Sequence, residues 1–192
     1  YGAASEPKHG PANAAAAVTP APKVPLLETA IRKLDDKGFA SKNNTDDRAA
    51  LASFYLRRGA PIWIADGALN SRAVTVISEI KKADDWGLQA SAFELPDLAT
   101  GASPEAMGEA EARLSLAVLK YARHARGGRI EPLSISNIWD MKPTLKDPKA
   151  VLAEIADNAA PDAYLTSLHP KHAGFHKLRQ ALLKARGPQE PE

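Results

Sequence analysis

The sequence predicts an all-α fold, an irregular bundle of about six to seven helices with at most a short strand pair. Three observations predict it. Apolar residues recur at three- and four-residue spacing through most of the chain. Capping residues open these stretches and glycines close them. Alternation with a period of two is almost absent.

Leu27, Ile31 and Leu34 form a first apolar stripe that ends before Gly38. Thr45 is expected to cap a second helix, with Asp46 and Asp47 placed against its positive end. Leu51, Phe54 and Tyr55 make its inner face, and Gly59 closes it. The run Pro61-Ile62-Trp63-Ile64 is extended and apolar, too short for a helix. A third helix opens at Asn70 or Ser71, turns Ala73, Ile77 and Ile80 inward, and ends at Gly87 after Trp86. The fourth has Ser103 as cap, Pro104 in the first turn and Glu105 near the positive end. Its stripe of Leu114, Val118, Tyr121, Ala122 and Ala125 runs to Gly127-Gly128, about 22 residues, the expected centre of the core. A loop follows through Pro132, Trp139 and Pro143. Asp147-Pro148 opens a fifth helix around Val151, Leu152 and Ile155, and Pro161 a short sixth. A last helix over 172–186 is expected to turn Phe175, Leu178, Leu182 and Ala185 inward, with Gly187 at its end.

The 192 residues divide into an Ala/Pro-rich tether over 1–24, a helical domain over 25–187 and a polar tail over 188–192. The tether has five alanines between Ala12 and Ala17 and few large apolar side chains, so it is expected to be disordered. Tyr1 in place of Met reads as a processed or trimmed start; export with a removed signal peptide is the expectation, though the sequence itself shows no such segment.

The formal net charge is +2, from 25 basic and 23 acidic side chains, which gives no electrostatic reason to expect nucleic acid. No apolar run reaches the length of a membrane span. The cysteine count is zero, which removes disulfides, thiolate metal sites and thiol nucleophiles from this chain.

His172 and His176 stand one helical turn apart, the spacing at which one face holds a metal. The zincin pattern needs a glutamate after the first histidine, and Ala173 stands there, so the pair is a weak candidate and solvent-facing histidines are the simpler reading. His124, with Ser134, Ser136 and Asp140 beyond it, lacks the strand-turn-helix context of a nucleophilic triad. The pairs Asp35-Asp36 and Asp84-Asp85 read as solvated charges. Gly127-Gly128-Arg129 follows a helix, whereas a phosphate loop opens one. No cofactor is called for. The candidate interaction surface comprises Trp63, Trp139, Arg129, Lys177, Arg179 and Lys184. The lysines and arginines give the last helix a weakly basic face, and loop tryptophans either stack on sugar rings or lock loops onto the core.

Four blocks, in order over about residues 45–186, resemble the scaffold domain of large bacterial L,D-transpeptidases. Phe54-Tyr55 to Pro61-Ile62-Trp63 resembles "F-Y-x-x-R-x-x-x-P-x-W", with Arg58 one place off a common arginine position. Ala83-Asp84-Asp85-Trp86-Gly87-Leu88 with Phe93 is similar to "A-x-x-x-G-L-x-P-x-x-Y", with Ala90 for the proline and Phe93 for the tyrosine. Ala110-Glu111-Ala112-Arg113-Leu114-Ser115, Tyr121-Ala122 and Gly128-Arg129-Ile130-Glu131-Pro132 resemble that family's long helix ending in "G-R-x-x-P". Leu165 to Pro170, with Phe175, Leu178 and Ala181-Leu182, is similar to "L-x-x-L-x-P-x-x-x-x-Y-x-x-L-x-x-A-L".

The resemblance implies a periplasmic cell-wall setting and an architectural role. In that family a cysteine in a separate catalytic domain joins peptidoglycan stem peptides, and its catalytic residues map to no position here. The expectation is therefore a non-catalytic module whose partner is the catalytic or wall-binding domain of a transpeptidase, or peptidoglycan itself. The alternatives are a stand-alone peptidoglycan- or protein-binding module and, third, a metal-dependent enzyme using His172 and His176.

Overall fold

A computed structural model describes residues 25–128 and 143–187. The expected tether over 1–24 and tail over 188–192 lie outside the described residues, as do Ser134, Ser136 and Asp140. The all-α expectation is met. The described residues hold eight α-helices, and their strands are one two-residue antiparallel pair.

α1 (Pro25–Leu34) buries Leu27, Ala30 and Leu34. α2 (Lys37–Ala40) is a single turn in addition to the predicted helices. Asp36 caps it by accepting the Phe39 N–H at 3.0 Å, so this aspartate is a capping group as well as a solvated charge. α3 (Thr45–Arg58) is capped by Asn44, one residue before the expected Thr45; Asn44 Oδ1 accepts from the Asp46 and Asp47 N–H groups. Gly59 ends α3 in the left-handed conformation, φ 65°.

The Pro61–Ile64 run then enters a hairpin of β1 (Ile64–Ala65) and β2 (Ala68–Leu69), with Ile64 opposite Leu69. Asp66 and Gly67 both take positive φ, the backbone a two-residue hairpin turn requires. α4 (Ser71–Lys81) follows with Asn70 as cap, and it stops six residues before Gly87. Ala83–Trp86 is instead a tight 3-10 turn that Gly87 closes at φ 74°.

α5 (Pro104–Ala125) has the predicted 22 residues, with Ser103 as cap and Pro104 in its first turn. It is buried on almost every side from Ala110 to Leu119, and α1, α3, α4, α6 and α7 all touch it. At Gly108 a Cβ would stand 2.7 Å from Thr29 Cβ and 2.9 Å from the Ala30 nitrogen, so α1 lies against bare backbone there. Gly128 is confined in the same way, by the Arg123 side chain and Leu145.

α6 (Pro148–Asp157) and α7 (Pro161–Ser167) complete the core with Val151, Leu152, Ile155 and Leu165. Polar ties fix the placement of α6: Arg58 pairs with Asp157 at 3.0 Å, and Arg72 donates to the carbonyls of Ile155 and Asn158. Arg123 of α5 pairs with Asp47 of α3. α8 (Ala173–Arg186) has no buried residue and packs chiefly on the 3-10 turn.

Candidate functional site

Two side-chain clusters organise the fold, and neither was foreseen. In the first, Glu111 points from the middle of α5 into the core and is completely buried. Its carboxylate accepts the backbone N–H groups of Ile62, Trp63 (3.0 Å) and Ile64 (3.0 Å), and the Tyr55 hydroxyl at 2.8 Å. Since Tyr55 gives its one proton to Glu111, Ser115 must donate to Tyr55 (2.7 Å), and Trp63 Nε1–H donates to Ser115 at 2.8 Å. Burial, the largest influence, raises the Glu111 pKa above the ordinary value, and the three amides and the phenol oppose it. The phenol of Tyr55 is held well above its usual 10, by burial first and by Glu111 second, so it remains a donor.

The second cluster joins α8 to the body. His169, after α7, is buried and its ring stacks on Trp86, centroids 4.4 Å apart and planes 8° apart. Phe175 of α8 stacks on His169 at 5.8 Å, and the Arg179 guanidinium lies 3.7 Å from the Trp86 ring centroid. His169 Nε2 shares a 2.7 Å hydrogen bond with the Tyr121 hydroxyl of α5. Burial, then the Arg179 charge, lowers the His169 pKa from 6.5 to about 4, so its imidazole is neutral at pH 7. Arg179 Nε also donates to the Asp85 carbonyl at 3.1 Å, and Arg186 pairs with the Asp85 carboxylate at 2.7 Å. Asp84 accepts the Ala90 N–H at 3.0 Å. Asp84-Asp85 thus holds structure where solvated charges were expected.

The expected surface residues separate on this frame. Trp63 is 0% exposed, so it forms no surface; it is one of the tryptophans that lock a loop to the core. Trp139 and Arg129 lie outside the described residues. Arg179 is half-buried and turned to Trp86. Lys177 and Lys184 are exposed on α8. The inward face predicted for α8 is corrected: Leu178 is 73% exposed and Ala185 is exposed, whereas Phe175 and Leu182 are half-buried. His172 caps α8, its Nδ1 accepting the Phe175 N–H at 3.0 Å, and His176 is exposed. One nitrogen of the suspected metal pair is therefore already engaged. Among the described residues no three His, Cys, Asp or Glu side chains converge as a metal site.

The open spaces are lined in part by charges that pair with each other. A groove of about 520 Å³ beside α1 and α5 is lined by Lys33 and Glu109, themselves paired at 3.1 Å. A cavity of about 130 Å³ contains the Asp47–Arg123 pair. One signal for the first cluster was present in the sequence: Glu111 falls on the same helical stripe as Leu114, Val118 and Tyr121. The second cluster joins residues far apart in the chain and leaves no local trace.

Chemically these arrangements hold and orient; they donate and accept static hydrogen bonds. The fold is a helical module in which one long helix gathers the surrounding segments. A family model described as Scaffold domain matches residues 49–182, well over half of the chain, and the chain belongs to that family. No curated protein and no solved structure is matched. The matched span starts inside α3, yet α1 packs on α5 as part of the same core. Among the described residues no helix is long and apolar enough to cross a membrane.

Proposed function

We propose that this chain is a non-catalytic module of the L,D-transpeptidase type that supports peptidoglycan cross-linking in the periplasm. On this reading it positions a catalytic or wall-binding domain through helix-face contacts. The observation that carries it is the scaffold-family match on a sequence without a cysteine. The four sequence blocks support it as well. Tyr55 and Trp63 of the first reach Glu111 and Ser115 of the third. Trp86 of the second meets His169 of the fourth, and His169 reaches Tyr121 of the third. Residues of this kind are used to build a frame.

Acyl transfer of the transpeptidase kind needs a thiolate that this chain cannot supply. Incubation with a carbapenem followed by intact-mass measurement is expected to leave the mass unchanged. A covalent adduct would overturn the non-catalytic reading. Direct contact with the wall is a second reading, favoured by the exposed Lys177 and Lys184. Co-sedimentation with purified sacculi that weakens as salt rises would support it, and no binding at low salt would remove it.

A further inference from the structure

We infer that the outer face of α8 is a docking seam for a partner helix that carries acidic residues along its flank. The inference rests on reading α8 as a contact face of a supporting module.

Leu178 is 73% exposed, the most exposed large apolar side chain among the described residues. Gly174, Ala181 and Ala185, at −4, +3 and +7 from Leu178, are exposed with it. That 4-3-4 spacing is the a/d seam of a short coiled coil, and its small residues let a second helix approach closely. Lys177 and Lys184 take the g position of successive heptads, about 10.5 Å apart along the axis. The e positions are Phe175 and Leu182, and both face the body: Phe175 stacks on His169, and Leu182 lies against Gly87. Only the g flank is open.

Charge decides the occupant. α8 contains His176, Lys177, Arg179, Lys184 and Arg186, and no acidic residue. Arg179 and Arg186 are spent on Trp86 and Asp85. Lys177 and Lys184 form no ion pair among the described residues, so the open flank is purely cationic. A second copy does not fit. Antiparallel pairing sets g against g, lysine against lysine, and parallel pairing needs the e flank that the body covers. A helix with glutamates on its flank and an apolar seam satisfies both features at once.

The test uses the 192-residue chain and two labelled designed peptides of about three heptads, each with Leu and Ala at a and d. One carries Glu at e and g, the other Lys. Fluorescence anisotropy is expected to show the acidic peptide binding at least about tenfold tighter than its basic twin. Leu178→Asp, at an exposed site that leaves the fold intact by circular dichroism, should weaken the acidic peptide about tenfold. The double change Lys177→Glu, Lys184→Glu should reverse the preference between the peptides. Absence of binding by the acidic peptide overturns the seam. So does binding that ignores Leu178→Asp and is matched by polyglutamate, which would be adsorption of a polyanion. If the acidic peptide binds while sacculi and transpeptidase catalytic domains do not, the seam stands and the cell-wall reading falls. If sacculi bind and the peptide does not, the seam falls.

Discussion

A carboxylate taken out of water must be compensated by donors or by a cation, and Glu111 has donors. It forms no ion pair among the described residues. Glu111→Gln keeps the volume but turns an amide NH₂ toward backbone N–H groups. It is expected to cost about 2–4 kcal/mol in chemical denaturation, because buried donors lose their acceptor. An equal unfolding midpoint would show that water takes over the acceptor role. The Glu111 pKa is raised, so the linked stability is present below its ordinary 4.5 and is lost as pH rises through the folded value. His169 runs the other way. Its pKa falls from 6.5 to about 4, so its contribution is complete above pH 6.5 and drains away as pH drops toward 4. His169→Phe keeps a ring in the stack and cannot titrate. Melting curves should therefore show a smaller loss between pH 7 and pH 4.5 in that variant than in the natural chain.

Among the elements, α1 and α8 are attached by opposite means. α1 lies on α5 at Gly108 with no room for a methyl group. Gly108→Ala raises helix propensity by about 1 kcal/mol, yet the overpacking costs about 1–3 kcal/mol. The contact includes backbone that cannot turn away, so net destabilisation is expected, read as a lower denaturation midpoint. α8 buries no residue and depends on a ring stack and two arginines. Its amides should exchange with deuterium without global unfolding. Trp86→Ala removes the ring held between His169 and Arg179 and should speed α8 exchange at least about tenfold, with a much smaller change in α5. Equal acceleration in both helices would mean that α8 opens only with the core.

Over the whole molecule, the sequence carried whatever is written locally. Ser103, Pro104 and the glycines after Ala125 bracket α5, and Asn70 and His172 start their helices where they should. Asn44 and Thr45 are both competent caps, and choosing between them needed the backbone. Helical spacing says which residues share a face, but not which face meets the body. That is why Leu178 points outward while Phe175 and Arg179 do not. Trp63 reads as a loop residue because its partner, Ser115, is 52 residues away. The same long range governs assembly. The contacts that tie Tyr55 and the Ile62–Ile64 amides to Glu111 and Ser115 span 47 to 60 residues, so their loop-closure entropy must be overcome before any of them forms. α5 has to exist as a surface before that segment can settle on it. In stopped-flow experiments Glu111→Gln should therefore act mainly on the unfolding limb of the chevron and leave refolding nearly unchanged. The carboxylate is then a clasp fastened last, and what it governs is how long the assembled frame lasts.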